Sequence, residues 1–183
     1  MGRIESGRDP AYADFIARYN MWLDRYALAG NRAPDAPLWE AGRLHLRFGY
    51  PNEGWSAYVV DKVDGGYNVS AVTTERRSVP SEGVKGFFAN IDDAGKYVIW
   101  NIGENLRVSC RLDPVGWAWE DAGLDRRVDR VALGDFVSRY SLKSDPARYF
   151  TLYAGGVQPE NRLLPLTYDE LDRVLTAGLP GLR

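Results

Sequence analysis

The sequence predicts an α+β protein with a mostly antiparallel sheet and helices packed on one face. An amphipathic helical segment near the amino terminus, a series of short strand-like segments, and a capped helix near the carboxyl terminus indicate this class. The elements lack the regular strand–helix alternation of a parallel sheet. No internal repeat is present, so one domain is predicted over residues 1–183, with the amino-terminal helix at about 10–29 and the α+β body at about 38–179.

The first predicted helix begins at Asp9-Pro10, because aspartate is a good N-cap and proline fits the first helical position. Apolar residues then recur at steps of three and four until Gly30, as expected of an amphipathic helix. Residues 31–37 include Pro34 and Pro37 and are predicted to link this helix to the sheet.

Strands are predicted at residues 44–48, 55–63 and 67–74, where apolar and β-branched residues alternate with polar ones. The last two are joined by Asp64-Gly65-Gly66, since glycine supplies the positive φ that a tight hairpin requires. Residues 76–90 are predicted to be irregular or an edge segment, because Pro80, Gly83 and Gly86 interrupt the alternation. Further short strands are predicted at 115–120, 136–142 and 149–153.

Two more helices are predicted. Asp92 is the expected N-cap of the first. Gly95 and Gly103 within it each cost about 1 kcal/mol relative to alanine, which is tolerable if the helix face that carries them is buried against a sheet. Thr167 and Glu170 form a capping-box pattern at the start of the second. Gly178 and the following Pro180 end this last helix.

The charge balance argues against nucleic-acid and membrane partners. The chain has 23 lysine and arginine residues against 25 aspartate and glutamate residues, so it creates no strong global field. No apolar run is long enough to cross a bilayer, and residues 1–7 lack the apolar core of a signal peptide. A single cysteine fits a reducing compartment, and we therefore expect a cytoplasmic protein.

The chain contains one histidine, His45, and one cysteine, Cys110. These two residue types supply most general bases, thiolate nucleophiles and soft metal ligands near neutral pH. His45 alternates with Leu44 and Leu46, which places it on the polar face of a strand. The sequence therefore favours binding over catalysis, and we predict no catalytic residue, no metal and no cofactor.

Acidic and basic clusters have ordinary explanations. Asp92 and Asp93 stand at a predicted helix amino terminus, where the helix dipole stabilises carboxylates. This position explains both residues better than a role as metal ligands does. Residues 169–172 include three carboxylates, of which a glycosidase could use a pair, although capping and dipole effects already account for them. The pairs Arg76-Arg77 and Arg126-Arg127 lie beside acidic residues and are predicted to be solvated surface.

The six tryptophans are predicted mainly to fill the core. Trp117 and Trp119, two residues apart in a predicted strand, would share one face and offer an alternative surface for stacking a sugar or a base.

Three segments carry a family resemblance. They are the aromatic and β-branched hairpin at residues 55–72, the sequence IDDAGKYVIW followed by GENLR at 91–107, and RLLPLTYDEL at 162–171. Together they resemble the actinobacterial immunity proteins of polymorphic toxin systems, in particular the antitoxin of the tuberculosis necrotising toxin. The resemblance covers about residues 40–178 and implies a cytoplasmic, non-enzymatic protein that blocks the active site of a secreted NAD-hydrolysing toxin.

We predict that turn-rich loops at the ends of the first strands contact the toxin, since each offers an aromatic anchor beside an acidic residue. The alternative is that these are plain turns with their aromatic residues in the core. Competing functions are a carboxylate-based hydrolase, a carbohydrate-binding module that uses tryptophans, and a small-ligand carrier. The predicted toxin-binding residues are Asn52, Glu53, Trp55, Asp64, Gly65, Gly66 and Tyr67.

Overall fold

A computed structural model describes residues 9–74 and 79–182 of the chain. Within these two stretches, the four α-helices are α1 (Ala13–Leu28), α2 (Ile91–Ser109), α3 (Val115–Ala122) and α4 (Tyr168–Thr176). The eight strands of the described residues are β1 (Leu38–Glu40), β2 (Arg43–Phe48), β3 (Ser56–Val63), β4 (Gly66–Thr73), β5 (Ser81–Phe88), β6 (Val128–Gly134), β7 (Val137–Leu142) and β8 (Tyr149–Leu152).

All eight strands form one antiparallel sheet in the order β1-β2-β3-β4-β5-β8-β7-β6. The first five strands follow one another as a meander. The last three run back from β5 in reverse order, so β1 and β6 are the two edges. The predicted fold class, α+β with a mostly antiparallel sheet and helices on one face, is confirmed.

The main core lies between the sheet and the helices. Helix α2 contacts β4 and β5 on one side and α1 and α4 on the other, so it is the central helix of the layer. Fully buried Leu44 and Val60 come from the sheet, while fully buried Phe15 and Trp22 come from α1. Burying side chains of this size contributes roughly 1.5–3 kcal/mol each.

The amino-terminal helix matches its prediction. Asp9 accepts a hydrogen bond from Ala11 N at 3.0 Å and caps a 3₁₀ turn, Pro10–Tyr12, that leads into α1. The helix ends at Leu28, and Gly30 follows with a φ of +72°.

Helix α3 corrects the prediction of a strand at residues 115–120. The Glu104 carboxylate accepts hydrogen bonds from the backbone N–H groups of Val115 at 3.0 Å and Gly116 at 3.1 Å. It therefore satisfies donors that a helix amino terminus leaves unpaired. Trp119 stacks on Trp100 of α2 with ring centroids 4.4 Å apart. These tertiary contacts override the β-propensity of the segment.

Strand β5 corrects the prediction that residues 76–90 are irregular or an edge. It lies inside the sheet, between β4 and β8. Position 86 requires glycine, because a Cβ there would clash with Thr151 O of β8 at 2.9 Å. The pairing shifts register beside it, at Val69/Ser70. Residues 75–78, and with them the pair Arg76-Arg77, lie outside the described residues. Strands β1 and β6 were not predicted.

Helix α2 differs from its prediction in two respects. Its N-cap is Asn90, whose side chain accepts from Asp92 N at 2.7 Å, so Asp92 is not the cap. Gly95 and Gly103 face other helices instead of the sheet. A Cβ on Gly95 would lie 2.8 Å from the Phe15 ring of α1, and one on Gly103 would lie 2.7 Å from Leu175 of α4. The two glycines allow the helices to approach closely.

The predicted capping box of α4 is confirmed. Thr167 Oγ1 accepts from Glu170 N at 3.2 Å, and Glu170 accepts from Thr167 N at 2.8 Å. Gly178 beyond the helix has a φ of +82°.

Thr167→Ala is expected to lower the free energy of unfolding by about 1 kcal/mol, because the Glu170 N–H loses its side-chain acceptor. Chemical denaturation measures the loss, and amide exchange locates it in α4. Thr176→Ala is the control. Thr176 is half-buried and its hydroxyl donates to Asp172 O within the same helix, so its removal should change amide exchange at the amino terminus of α4 little. Unchanged amide exchange there in Thr167→Ala would show that the capping box contributes no stability.

In the two described stretches, 9–74 and 79–182, no helix combines the length and the apolar character needed to cross a membrane.

Candidate functional site

The face of the sheet opposite the main core forms a separate surface. Leu44 and Leu46 of β2 point into the core, so the residues between and beside them point the other way. A second small apolar cluster lies on that side, and no described helix contributes to it. Over the first five strands this surface, the open sheet face, includes Arg43, His45, Arg47, Ala57, Val59, Ser70, Val72, Glu82 and Val84.

A salt bridge crosses the open sheet face. Arg43 of β2 pairs with Glu82 of β5, although β3 and β4 lie between the two strands. Neighbouring strands are about 4.8 Å apart, so three strand spacings amount to about 14 Å. The two side chains therefore extend over the middle strands, where Val59 is fully buried and Ser70 is 4% exposed. Among the described residues, the Arg43 and Glu82 side chains thus lie over the apolar residues here.

One end of the open sheet face carries an aromatic and charged cluster. Tyr50 and Trp55 meet edge to face with ring centroids 5.2 Å apart. The Arg47 guanidinium lies 4.3 Å from the Tyr50 ring centroid and 5.9 Å from that of Trp55, and it also pairs with Glu40. We call these four residues the Arg47 cluster. Contacts between a guanidinium and aromatic faces help to hold all three side chains in place.

The loop between β2 and β3 holds the Arg47 cluster in place through its backbone. Asn52 N donates to Gly49 O at 2.9 Å, and Trp55 N donates to Asn52 O at 3.2 Å. The Asp35 carboxylate accepts from Tyr50 N at 3.1 Å. Gly49 has a φ of +80°, a conformation that most other residues avoid. The loop is therefore ordered by its own hydrogen bonds.

Exposure within this loop is graded from base to tip. Trp55 is half-buried and packs on the small cluster of Ala57, Val59 and Val72. Tyr50 is 46% exposed, and Asn52 and Glu53 are exposed at the tip. Three predicted contact residues, Asn52, Glu53 and Trp55, thus lie together beside Tyr50.

The other predicted contact loop is the β3–β4 hairpin. Asp64 and Gly65 are exposed, and Gly65 has a φ of +77°. Gly66 is required for a different reason than predicted: a Cβ there would lie 2.3 Å from Phe88 O. Tyr67 is half-buried and meets Tyr12 edge to face at 5.6 Å. The Tyr67 ring therefore belongs to the edge of the main core.

The structure places the two predicted contact loops far apart. One precedes β3 and the other follows it, and β3 is eight residues long. At about 3.3 Å per residue, the strand separates them by about 26 Å. A partner that contacts both must extend along the whole of β3. The loop that carries Trp55 belongs to the Arg47 cluster, whereas Tyr67 of the hairpin contacts Tyr12 at the edge of the main core.

His45 lies on the open sheet face, as its alternation with Leu44 and Leu46 predicts. Partial burial lowers the pKa of its imidazole, and the nearby Arg47 charge lowers it further. His45 is therefore mostly neutral at pH 7. In the part of the chain that the structure describes, no group of three or more His, Cys, Asp or Glu side chains is placed to hold a metal ion.

Asp93 belongs to a buried ionic group. Its carboxylate pairs with the Lys96 ammonium at 2.7 Å and with the Arg148 guanidinium at 2.8 Å, and Asp93 itself is 1% exposed. Lys96 also donates to Leu163 O at 2.7 Å and Leu166 O at 2.8 Å. Burial lowers the pKa of Lys96, and Asp93 opposes this effect. The group fastens the segment before α4 to α2.

The carboxylates of α4 also have structural partners. Asp172 accepts hydrogen bonds from Arg18 at 2.5 Å and from Trp22 Nε1 at 2.8 Å, and it pairs with Arg25 at 2.9 Å. Asp169 pairs with Arg18 at 2.8 Å. Together with the capping role of Glu170, these contacts account for all three carboxylates of the hydrolase alternative.

The tryptophans correct one prediction. Trp117 and Trp119 lie on helix α3, so they do not share a strand face. Trp117 is 62% exposed, while Trp119 is half-buried against Trp100. Two helical residues at positions i and i+2 point in nearly opposite directions. Trp22 and Trp100 lie in the core, as predicted for most of the six.

The basic pair Arg126-Arg127 lies at the surface, as predicted. Arg127 makes a bidentate contact with Asp125, with both N···O distances at 2.9 Å. The hydrogen bonds from Arg127 lower the pKa of Asp125 to about 2.

Sequence reasoning missed the other three members of the Arg47 cluster, Glu40, Arg47 and Tyr50. The alternation in β2 places Arg47 on the polar face, but it carries no sign of an aromatic partner. Tyr50 lies in a loop, where periodicity gives no information. Only the turn of the loop brings these residues beside Trp55.

Comparisons with known proteins give the fold and no family. No family model matches the chain, and no curated relative matches it. A solved structure, Rv3902c from M. tuberculosis, is similar with a TM-score of 0.56 and 14% sequence identity. The match covers 84% of this chain and 85% of that one. At this identity the likeness establishes a common fold, shared with a protein of M. tuberculosis.

Proposed function

We propose that this protein is an immunity protein that binds a cognate secreted NAD-hydrolysing toxin and blocks its active site. It acts in the cytoplasm, as a binding protein without an enzymatic activity of its own. The proposal rests on the resemblance of residues 55–72, 91–107 and 162–171 to actinobacterial immunity proteins. A fold shared with a protein of M. tuberculosis over 84% of the chain is in keeping with it.

The observation that carries the proposal is the Arg47 cluster on the open sheet face. Protein interfaces draw most of their binding energy from a few Trp, Tyr and Arg side chains. Here one residue of each type is held in mutual contact, beside an exposed loop tip. Because the loop is ordered by internal hydrogen bonds, little conformational entropy is lost when a partner binds.

The Arg47 cluster and the loop tip beside it present charged, polar and aromatic groups together, which suits an active-site cleft with both polar and apolar walls. Arg47 and Glu40 offer opposite charges side by side, and Asn52 and Glu53 add neutral and acidic groups at the tip. We expect the loop tip to enter the toxin cleft while Tyr50 and Trp55 pack against its rim.

The decisive experiment uses the purified product of the gene adjacent to the one for this chain. Addition of this protein should abolish NAD hydrolysis by that product at a one-to-one molar ratio. Calorimetry should give the same stoichiometry, and the protein alone should hydrolyse no NAD. A neighbouring gene product that hydrolyses NAD at an unchanged rate in the presence of a tenfold excess of this protein would refute the proposal.

Trp55→Ala is expected to weaken toxin binding by about 1–2 kcal/mol, because the substitution removes an aromatic anchor. This corresponds to a roughly five- to thirtyfold higher Kd. Calorimetry measures the change, and circular dichroism checks that the fold persists.

Trp117→Ala is the matched control, since Trp117 is exposed on α3 and lies outside the Arg47 cluster. We expect it to leave the Kd unchanged. Tyr67→Ala tests the second predicted loop in the same way. If Trp55→Ala binds as tightly as the wild type and Trp117→Ala does not, the interface lies on α3 and the assignment of the Arg47 cluster is wrong.

A further inference from the structure

An open cavity of about 420 Å³ lies at one end of the sheet. It is bounded by the carboxyl-terminal part of α1 and the following linker, by β2 and β3, and by the last turns of α2. Small-molecule sites in proteins commonly have volumes of about 300–1,000 Å³. The cavity is therefore large enough to hold a small organic molecule.

The walls of the cavity are mainly apolar and aromatic. Tyr19 and Tyr26 are fixed there, because their hydroxyl groups donate to Asp35 O at 3.0 Å and Ile102 O at 2.7 Å. Burial raises the pKa of both phenols, so the two rings stay neutral. The remaining apolar lining comes chiefly from Leu46, Phe48, Tyr58 and Val108.

The charged lining is of one sign. Arg32 and Arg47 line the cavity, and none of its lining residues is acidic. Arg47 already pairs with Glu40. Arg32 is exposed and lies 5.9 Å from the Phe48 ring centroid, and it forms no ion pair with any residue in 9–74 or 79–182. An unpaired guanidinium beside an apolar cavity is suited to an anion with an apolar body.

We propose that this cavity binds an amphipathic carboxylate, a small molecule with an apolar body and one carboxylate group. The body occupies the space between Tyr19, Tyr26 and Tyr58, and the carboxylate pairs with Arg32 at the mouth. The site shares Arg47 with the proposed toxin contact, but its charged contact is with Arg32, which lies outside the Arg47 cluster.

Calorimetric titration tests the proposal with two probes, dodecanoate as the fatty acid and 1-naphthoate as the aromatic acid. We expect at least one to bind with one-to-one stoichiometry, and the stronger one identifies the kind of body that the cavity accepts. Uncharged 1-naphthalenemethanol should bind at least tenfold more weakly than 1-naphthoate if the aromatic acid is the ligand. If dodecanoate is the ligand, uncharged dodecanol should likewise bind at least tenfold more weakly than dodecanoate.

Two variants probe the two halves of the site. Arg32→Gln should raise the Kd about tenfold, as expected for the loss of a charged hydrogen bond, and Arg32→Lys should restore part of the affinity. Asn105→Trp, at an exposed position in the lining, should block binding by filling the space. Arg126→Gln removes an exposed arginine that does not line the cavity and should change nothing.

Circular dichroism and thermal unfolding confirm that each variant is folded. Absence of binding by both carboxylates at millimolar concentration would overturn the proposal. So would wild-type affinity in both Arg32→Gln and Asn105→Trp, or equal binding of the acids and their alcohols.

Discussion

Asp93→Ala is expected to lower the free energy of unfolding by about 3–5 kcal/mol, the range measured when one partner of a buried ion pair is removed. Lys96 is 1% exposed, and its ammonium would lose the carboxylate that offsets the cost of its burial. Arg148 would lose a bidentate partner, with present N···O distances of 3.1 and 2.8 Å. Urea denaturation followed by circular dichroism measures the change.

The pH dependence of this loss provides a second measurement. Burial lowers the pKa of Lys96 from its ordinary 10.5, and removal of Asp93 should lower it further. Between the folded-state pKa and 10.5 the unfolded chain binds more protons than the folded one, so stability rises with pH in that window. The deficit of Asp93→Ala relative to the wild type should therefore shrink as the pH approaches 10.5.

Asp92→Ala is the matched control for this prediction. Asp92 is the preceding residue in the same first turn of α2, but it is half-buried, and its carboxylate forms no ion pair and accepts no hydrogen bond among the described residues. We expect Asp92→Ala to change the free energy of unfolding by less than about 1 kcal/mol. Equal losses in the two variants would mean that the charge of the helix terminus matters and the buried ion pairs do not.

The elements that depend on local sequence were predictable. The stripe of α1, the alternation of β2, the Asp64-Gly65 turn and the capping box at Thr167 each involve residues within a few positions of one another. Such patterns are visible in a sequence because the physical contact and the sequence spacing coincide.

The incorrect predictions depend on partners distant in sequence. Helix α3 forms where Glu104 caps it and Trp100 covers Trp119, and neither residue lies in the segment itself. Strand β5 has a glycine at position 86 because β8 passes too close for a Cβ there. Local propensity alone therefore gave a strand for the first and an irregular segment for the second.

The candidate site was predictable only in part. Trp55 was identified because turn residues and an aromatic side chain are adjacent in the sequence. Its partners Arg47 and Tyr50 approach it from a strand and a loop, so no spacing rule indicates the cluster. The cavity beside Arg32 likewise joins residues of α1, β2, β3 and α2, which only the folded chain brings together.

The close contact of α1, α2 and α4 depends on glycines in α2. Trp22 and Phe15 of α1 are fully buried in this region, and Leu175 of α4 reaches the same helix. Interiors packed at this density cannot take up an additional methyl group without movement of a neighbour. The two glycines thus lower the helix propensity of α2 locally and allow a tighter layer of three helices.

Gly95→Ala is accordingly expected to destabilise the protein by about 3 kcal/mol, despite the higher helix propensity of alanine. The new Cβ would lie 2.0 Å from the Tyr168 hydroxyl and 2.8 Å from the Phe15 ring, so both of these side chains must move. Thermal unfolding measures the loss. Gly116→Ala in α3 is the control, because its nearest neighbour would be Trp100 at 3.3 Å, and we expect a change within about 1 kcal/mol.

A second substitution separates the two clashes. The Tyr168 hydroxyl is buried and has no hydrogen-bond partner among the residues that the structure describes, so Tyr168→Phe alone should stabilise the protein by about 1 kcal/mol. Combined with Gly95→Ala, it removes the closer clash and should recover part of the lost stability. The clash with the Phe15 ring remains, so the double variant should still be less stable than the wild type. A Gly95→Ala protein as stable as the wild type would show that α1 and α4 are not held at this distance from α2.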